Sequence, residues 1–416
     1  MLNDSIHYQD EALYCDAIPI SDITAQTGTP VYIYSLKRAL GNFRRIQTAF
    51  GDIHPHIHYS AKANANLSIL RALVSAGAGI DAVSAGEIHK ALLAGAEAKD
   101  IVFAGVGKTP TELTYAIEKG VGWINVENVA ECALINDIVQ QQQRPTLRAQ
   151  RIALRLNPDV TANTHPYIAT GHWGAKFGLT ADTVRDLLAK QSVYPHICFE
   201  GIHIHIGSQL HDTQATQRAL EIALELIAPY PDIRTVNIGG GLPVAYRPDE
   251  IIPSWENFAA SLREMLVGYT VLLEPGRSII ADAGLLVASV LYVKQQAGQT
   301  ILITDGSMAE LIRPALYQAH HEIVPIIASP SKHEVLTQVV GPICETADII
   351  GRDISLPQLQ AGDLLAVLTA GAYGMAMANN YNQRPRPPEI IVVEDGQSWQ
   401  IARRRETWDD LVRLEM

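Results

Sequence analysis

One lysine stands directly after a short apolar run, in the sequence His58-Tyr59-Ser60-Ala61-Lys62. A lysine just beyond a buried strand is partly desolvated, which depresses its pKa and leaves the amine free to condense with an aldehyde. Lys62 is therefore a candidate for a Schiff base with a carbonyl compound. Taken alone, a solvated loop lysine is the commoner explanation, so the other motifs must decide between the two.

Two histidines and a glycine triplet stand in later apolar runs. His203 and His205 share one face if their run is a strand, because side chains alternate along a strand. Their imidazoles could stack on a flat ring, hydrogen-bond in the core or ligate a metal. No metal is predicted, because no helical histidine pair or carboxylate-rich motif completes such a site. Around Gly239-Gly240-Gly241, backbone N–H groups can approach a phosphate without Cβ obstruction, although tight turns also need glycine.

A carboxylate and a cation end the next run, in Glu274-Pro275-Gly276-Arg277. A carboxylate that faces a pyridine nitrogen keeps this nitrogen protonated and makes the ring a strong electron sink. An arginine offers planar donors to a phosphate or a carboxylate. The alternative is that Glu274 and Arg277 form a buried ion pair.

The elements that must position these residues alternate between short strand-like runs and helical segments from about residue 30 to 283. Eight such runs cover residues 57–60, 79–84, 101–106, 123–126, 152–157, 200–207, 235–241 and 271–276. The pattern predicts an α/β fold with a (β/α)8 TIM-like barrel, whose catalytic groups lie at the C-terminal ends of the strands. An open doubly wound sheet is disfavoured, because the Gly-rich turn after its first strand is absent.

After Asp282 the sequence contains strand-like runs with no helical segments between them. We therefore predict an N-terminal segment, 1–30, that packs with a β domain, a barrel over 31–283, and a mostly β C-terminal domain over 284–416.

Composition narrows the classes of function. The chain has 416 residues, 47% hydrophobic and 18% charged, with a formal net charge of -12, so it is predicted to fold fully and not to bind nucleic acid. The four cysteines form no CxxC pair and are expected to be free thiols. No export signal is recognised in residues 1–10, which predicts a cytoplasmic protein. The run 364–378 is broken by glycines and too short for a membrane span, so buried strands are expected there.

Over nearly its whole length the chain resembles the fold-type III pyridoxal-phosphate-dependent decarboxylases, and among them those that act on diaminopimelate. The matching segments are 59–64, 79–92, 155–160, 164–171, 176–179, 201–210, 239–242, 274–278, 312–321, 340–345, 371–374 and 380–387. The resemblance implies pyridoxal 5'-phosphate as the cofactor, a homodimer with shared active sites, and decarboxylation of meso-2,6-diaminopimelate to L-lysine. Ornithine, arginine, D-lysine or carboxynorspermidine is the alternative substrate on this scaffold, and a racemase or a non-catalytic regulator is disfavoured.

The same resemblance implies roles for individual residues. Those of the cofactor site would be Lys62 as the Schiff-base lysine, His205 on the ring, Glu274 at the ring nitrogen, and Ser208, Gly239, Gly240, Gly241, Gly276, Arg277 and Tyr373 around the rest of the cofactor. Those of the substrate site would be Arg277, Arg313, Tyr317, Glu345 and Tyr373. Cys344 and Glu345 would come from a second subunit, with Cys344 as a candidate proton donor. Without the resemblance, Cys344 would be taken for a small buried hydrophobe.

Two segments depart from the pattern of the family. Leu242-Pro243-Val244 follows the glycine triplet, where a further glycine is more usual, and Gly306-Ser307-Met308-Ala309 precedes Arg313. Neither departure removes a catalytic group.

Overall fold

A computed structural model describes residues 1–142, 149–160, 170–172, 174–296, 298–328 and 334–416. Residues 164–169, which belong to one of the matching segments, lie outside the described residues. Two compact units are present: one comprises Met1–Asn42, Val244–Glu250 and Arg277–Met416, and the other comprises Phe43–Pro243 and Ile251–Gly276. We call them the β unit and the barrel unit.

The strands of the described residues are β1 (Ile6–Gln9), β2 (Ala12–Cys15), β3 (Ile18–Pro19), β4 (Val31–Ser35), β5 (His56–Ser60), β6 (Gly79–Ala82), β7 (Ile101–Phe103), β8 (Trp123–Val126), β9 (Gln150–Leu156), β10 (Ile197–Ile204), β11 (Thr235–Asn237), β12 (Thr270–Leu273), β13 (Gly284–Gln296), β14 (Gln299–Thr304), β15 (Ile323–Pro325), β16 (Glu334–Val340), β17 (Ile349–Pro357), β18 (Leu364–Val367), β19 (Glu389–Val392) and β20 (Trp399–Arg403).

The helices are α1 (Ile20–Thr27), α2 (Leu36–Ala49), α3 (Leu67–Ser75), α4 (Ala85–Leu93), α5 (Pro110–Lys119), α6 (Val129–Gln141), α7 (Ala181–Ala189), α8 (Gln214–Ile227), α9 (Trp255–Leu266), α10 (Arg277–Ile280), α11 (Arg313–Tyr317) and α12 (Trp408–Val412). None of the helices in the described ranges is long and apolar enough to cross a membrane.

The barrel unit contains a closed sheet in which β5 to β12 follow one another in chain order. Neighbouring strands pair in parallel, including β12 with β5, which closes the circle. The strands are almost wholly buried, and Val102, Trp123, Ala153 and Leu272 pack against one another. The predicted barrel is confirmed, and all its strands end at the same rim, as parallel strands must.

Several helices between the barrel strands begin at side-chain caps. Ser84 accepts a hydrogen bond from the N–H of Glu87 at the start of α4. Thr109 and Glu112 form a reciprocal capping box at the start of α5, which is followed by Gly120 in a left-handed conformation. These caps fix where α4 and α5 begin, so that short loops follow β6 and β7.

The β unit contains a sheet in the order β17-β16-β14-β13-β4-β19-β20, with β18 pairing to β13 and β15 to β18. Its core joins the N-terminal strands to the later ones, since Ile6 and Leu13 pack in one cluster with Leu285 and Ile390. The limits of this unit differ from the predicted boundaries at residues 30 and 283, because β4 pairs with β13 and β19. The run 364–378 forms the strand β18, a buried connection over residues 368–372 and a short 3-10 helix at Met375–Met377.

Candidate active site

Lys62 lies in a short 3-10 turn, Ala61–Ala63, immediately after β5. Its Nζ is 3.6 Å from Oδ2 of Asp81, which lies in the buried strand β6, and the side chain of Lys62 is 39% exposed. Asp81 is wholly buried and accepts a 2.5 Å hydrogen bond from Ser60. Burial raises the pKa of Asp81, and the charge of Glu274 adds to this, while Lys62 opposes it. The amine therefore lies beside a buried acidic side chain and is itself partly exposed.

Glu274 lies just after β12 among polar side chains of other strands. Its Oε1 accepts hydrogen bonds from Nδ2 of Asn125, at 3.1 Å, and from Nδ2 of Asn237, at 2.6 Å. Nε2 of His203 lies 3.3 Å from Oε2 of Glu274, an ion-pair distance. Burial alone would raise the pKa of Glu274, but His203 and Lys62 favour the carboxylate and hold this pKa well below its ordinary value. The surroundings of Glu274 thus favour its carboxylate form in the barrel interior.

His205 follows β10 and faces the glycine loop. The N–H of Gly240 donates to Nδ1 of His205 at 3.3 Å, so this nitrogen carries no proton. Burial is the largest cause that holds the pKa of His205 well below its ordinary value, and the charges of Lys62 and Arg155 add to it. A neutral imidazole with a fixed acceptor nitrogen is suited to lie against an aromatic ring.

The glycine loop has no room for side chains. A Cβ on Gly239 would lie 2.7 Å from Nδ1 of His205, and a Cβ on Gly240 would lie 2.5 Å from the carbonyl oxygen of Glu274. Gly241 has a φ of +97°, which favours glycine. Ser208 lies in the loop after β10, half-buried.

Gly276 packs closely against the turn that carries Lys62, since a Cβ added at this position would lie 3.0 Å from the Cβ atoms of Ser60 and Ala63. The barrel unit therefore brings together an amine, an ionised carboxylate, a neutral imidazole and an open backbone loop. These residues fit a flat heteroaromatic ring that carries an aldehyde and a phosphate.

Sequence reasoning missed several members of this barrel site. Asp81, Asn125 and Asn237 each lie at or near a strand end, and a polar residue at such a position was the available signal. Arg155 was noted only as part of a matching segment. Its Nη1 donates to Oε1 of Glu127 at 2.6 Å, a buried ion pair that holds the arginine near His205.

In the β unit, two buried arginines contact one tyrosine. Arg277 donates from Nη1 to the hydroxyl of Tyr246 at 2.8 Å and lies over the ring of Tyr373 at 4.8 Å. The guanidinium of Arg313 lies 4.9 Å from the ring centre of Tyr246, and its Nε donates to Nε2 of His321 at 3.2 Å. Tyr246 was not predicted from the sequence, because it stands 31 residues before Arg277 without a recognisable motif.

Arg313 is 5% exposed, and among the described residues no Asp or Glu forms an ion pair with it. Burial lowers the pKa of Arg313, and repulsion from Arg277 adds to this while Tyr246 opposes it. Tyr317, the last residue of α11, also acts electrostatically on both arginines. A buried guanidinium that has a second guanidinium nearby and no carboxylate partner among the described residues attracts an anionic ligand, because a buried charge without a counterion is costly.

Cys344 and Glu345 lie in the connection between β16 and β17 and are exposed. Cys344 is a free cysteine, and its N–H donates to Oδ1 of Asn382 at 3.0 Å. The hydroxyl of Tyr381 donates to Oε1 of Glu345. The alternative that Cys344 is a small buried hydrophobe is wrong, because the thiol stands at the tip of a surface connection.

A closed barrel with a lysine, an ionised carboxylate and a glycine loop at its strand ends defines the class of barrel-type pyridoxal-dependent decarboxylases. The family model of the pyridoxal-binding domain of pyridoxal-dependent decarboxylases matches residues 36–281 of this chain. Pyridoxal phosphate is the cofactor of this class, in agreement with the resemblance noted in the sequence.

Individual relatives define the family more narrowly. The diaminopimelate decarboxylase of Aquifex aeolicus is 38% identical, covering 99% of this chain and 97% of its own. That of Vibrio cholerae is 40% identical, covering 99% of both chains. The crystal structure of diaminopimelate decarboxylase from Helicobacter pylori complexed with L-lysine has a TM-score of 0.89 at 37% identity, covering 95% of this chain and 99% of the other. The chain belongs to the diaminopimelate decarboxylase family.

Proposed function

We propose that this protein decarboxylates meso-2,6-diaminopimelate to L-lysine and CO2, with CO2 leaving from the D-configured centre. The observation that carries the proposal is the buried Arg313, which has no carboxylate partner among the described residues and stands beside Tyr246 with Arg277. The L-lysine bound by the Helicobacter pylori relative agrees with it.

The barrel unit would hold the cofactor. Lys62 would bind its aldehyde, and the open glycine loop, residues 239–241, would receive its phosphate together with Ser208. His205 would lie against the ring, and Glu274 would face the ring nitrogen. Glu274 is held ionised by its surroundings, so it can keep a proton on that nitrogen.

Pyridoxal phosphate, when bound, supplies the conjugated system that takes up the electron pair left by departing CO2. The residues of the chain must then orient the substrate and return a proton to its carbon. Arg277 and Arg313 bind the distal carboxylate, and Glu345 accepts from the distal ammonium. The thiol of Cys344 donates the proton from Sγ, and Tyr317 and Tyr373 line the substrate and cofactor sites.

Charge at the distal end separates this substrate from the alternatives. Ornithine, arginine, D-lysine and carboxynorspermidine offer no carboxylate that matches that of diaminopimelate at this end. Two buried arginines would repel a distal cation rather than bind it. The same argument disfavours a racemase, which gains nothing from a pair of distal arginines.

A substrate panel tests the proposal. Product analysis after supplying meso-diaminopimelate, L-lysine, L-ornithine, L-arginine and D-lysine should show lysine and CO2 from the first compound and little turnover of the others. Arg313→Ala should lower kcat/KM for diaminopimelate by roughly 30-fold to several thousandfold, as expected for about 2–5 kcal/mol of lost buried charge pairing. Arg352→Ala, at an exposed arginine of β17, is the control and should leave turnover unchanged.

Two outcomes would contradict the assignment. One is more efficient decarboxylation of L-lysine or L-ornithine than of diaminopimelate by the wild type. The other is unchanged diaminopimelate turnover in Arg313→Ala protein that contains a full complement of cofactor.

We further propose a cytoplasmic homodimer in which each active site receives Cys344 and Glu345 from the other subunit. Both side chains are exposed in the single chain, which suits presentation to a partner. A reducing compartment agrees with the proposed role of Cys344, because only a reduced thiol can donate the proton.

A further inference from the structure

The connection between β16 and β17, residues 341–348, exposes its tip and buries its base. Cys344 and Glu345 are exposed, whereas Asp348 is 3% exposed. The base is closed by backbone bonds, from the N–H of Gly341 to the carbonyl of Asp348 at 3.2 Å and from the N–H of Asp348 to the carbonyl of Glu345 at 3.2 Å. Because the tip of this connection is exposed, side-chain contacts are needed to keep Cys344 in one position.

Asp348 supplies such contacts to two segments at once. Its Oδ2 accepts the N–H of Ile343, next to Cys344, at 2.7 Å. Its Oδ1 accepts the N–H of Met308 at 2.7 Å. Gly341 permits this approach, since a Cβ there would lie 2.5 Å from Oδ2 of Asp348.

The segment held through Met308 leads directly to the substrate arginine. Ser307 caps the turn, because its carbonyl oxygen accepts the N–H of Leu311 at 2.9 Å and its hydroxyl accepts the N–H of Ala309 at 3.0 Å. Helix α11 then begins at Arg313. One carboxylate therefore fixes the chain on the approach to both Cys344 and Arg313.

Asn382 holds the tip from another direction. Its Oδ1 accepts the N–H of Cys344 itself at 3.0 Å, and the neighbouring Tyr381 donates to Glu345. Asn382 has a φ of 52°, a left-handed conformation that asparagine adopts more readily than most residues. The successive N–H groups of Ile343 and Cys344 thus donate to the side chains of Asp348 and Asn382, which come from different parts of the chain.

We propose that Asp348 and Asn382 are positioning residues that hold the backbone of Cys344 in the place from which its thiol acts, and that Asp348 also holds the segment leading to Arg313. This inference rests on the proposed function, because it assigns a chemical role to Cys344. A carboxylate suits the Asp348 position, since it accepts from two N–H donors at once, whereas the amide of an asparagine would turn its own N–H2 toward one of them.

Steady-state kinetics of matched variants test the proposal. Asp348→Asn should lower kcat per cofactor-loaded site roughly 10-fold to 100-fold, the scale of a displacement of about 1 Å in a catalytic group, and should raise KM. Its control, Asp353→Asn, changes an exposed carboxylate of β17 and should leave both constants unchanged.

Asn382→Gly keeps the proposal testable if the Asp348 variant does not fold, because glycine accepts the left-handed conformation without strain. It should lower kcat with little change in cofactor absorbance. Gln383→Gly, at a neighbouring exposed residue with a φ of 55°, is the control and should behave as the wild type. A merely structural role would reduce the yield of loaded enzyme, but not kcat per loaded site.

Subunit mixing separates this inference from the proposed function. Lys62→Ala protein is co-refolded with Cys344→Ala, with Asp348→Asn or with Asn382→Gly protein, and the activity of the mixtures is compared with that of the parents. Recovery with both Cys344→Ala and Asn382→Gly supports positioning of Cys344 across the interface. Weaker recovery with Asp348→Asn than with Asn382→Gly supports its second role, because the Lys62-containing site of that mixture uses Arg313 of the Asp348→Asn chain. Recovery with Cys344→Ala alone overturns the positioning roles and leaves the shared site intact. No recovery in any mixture refutes the shared site. In that case the kcat values of the unmixed Asp348→Asn and Asn382→Gly proteins decide the positioning roles, and values equal to that of the wild type would overturn these roles.

Discussion

Two lysines follow strands of the barrel, Lys62 after β5 and Lys108 after β7, and their surroundings separate their roles. Lys62 has a side chain that is 39% exposed and lies 3.6 Å from Asp81. Lys108, in the loop after β7, is almost wholly buried and donates to Oε1 of Glu131 at 2.9 Å and to the carbonyl of Gly105 at 2.6 Å. An amine that already donates hydrogen bonds to a carboxylate and a carbonyl has a structural role. Of these two lysines, only Lys62 is therefore expected to react with an aldehyde.

The purified protein should be yellow, and borohydride should fix the cofactor on Lys62. Peptide mapping of the reduced protein is expected to find the adduct on the peptide that contains Lys62 and none on the peptide that contains Lys108. Lys62→Ala protein is the control and should carry no adduct. An adduct on Lys108, or on neither lysine of the wild type, would refute the assignment.

A buried carboxylate in the turn before α11 gives the β unit a pH-dependent stability. Glu310 is 2% exposed, and burial raises its pKa from 4.5 to about 7, although the hydroxyl of Ser307 donates to it. The folded state therefore binds more protons than the unfolded state between these pH values. Stability from this group is present below pH 4.5 and is lost as pH rises toward 7.

Glu310→Gln should remove this dependence, because glutamine keeps the shape and a hydrogen-bond partner for Ser307. At about pH 8 the variant should be more stable than the wild type by on the order of 2–3 kcal/mol, and at about pH 5 the two should be similar. Urea unfolding across this pH range measures the difference. Glu334→Gln, at an exposed residue of β16, should not change the profile. A wild-type advantage at pH 8 would contradict the prediction.

At the level of elements, the loop after β11 is held against the end of β12. The backbone N–H of Glu274 donates to the carbonyl of Gly239 at 2.7 Å, so one backbone hydrogen bond joins the loop to the residue that carries the carboxylate. A Cβ at Gly240 would lie 2.5 Å from the carbonyl oxygen of Glu274, a backbone atom that cannot move aside. The loop and the strand end must therefore shift together if this glycine is replaced.

Gly240→Ala should weaken cofactor binding by about tenfold or more and destabilise the protein by about 1–3 kcal/mol, the usual cost of overpacking. Cofactor titration and thermal unfolding measure the two effects. Gly41→Ala is the matched control, because a Cβ there meets nothing within 4 Å and the residue lies inside α2. It should leave cofactor affinity unchanged and stabilise the helix by about 0.5–1 kcal/mol. Equal cofactor affinities of the two variants would contradict the packing argument.

At the level of the whole molecule, the proposed roles are divided between subunits. Lys62, His205, Glu274 and the glycine loop all belong to the barrel unit of one chain. Cys344, with Glu345, belongs to the β unit and would act in the site of the partner. Cofactor binding and catalysis should therefore respond differently to dissociation of the dimer.

Dilution tests this division. As protein concentration falls below the dissociation constant of the dimer, turnover per bound cofactor should fall, whereas cofactor absorbance should persist, because one chain supplies the whole cofactor site. Stopped assays and absorbance, with sedimentation to define the monomer, follow the two quantities. Constant turnover per bound cofactor in proven monomers would refute the shared site.

The barrel could be predicted from the amino-acid sequence, because strand and helix periodicities are local properties of the chain. The sequence also placed Lys62, Glu274 and the glycine triplet at strand ends, since those positions follow from the order of the elements. The tertiary structure alone decided the partners of these groups. Asn125 and Asn237 meet on Glu274, and Tyr246 meets Arg277, across long separations in the chain. A single polar residue in an apolar run has no periodic signal, and its partner is set by the closure of the sheet rather than by its neighbours in sequence.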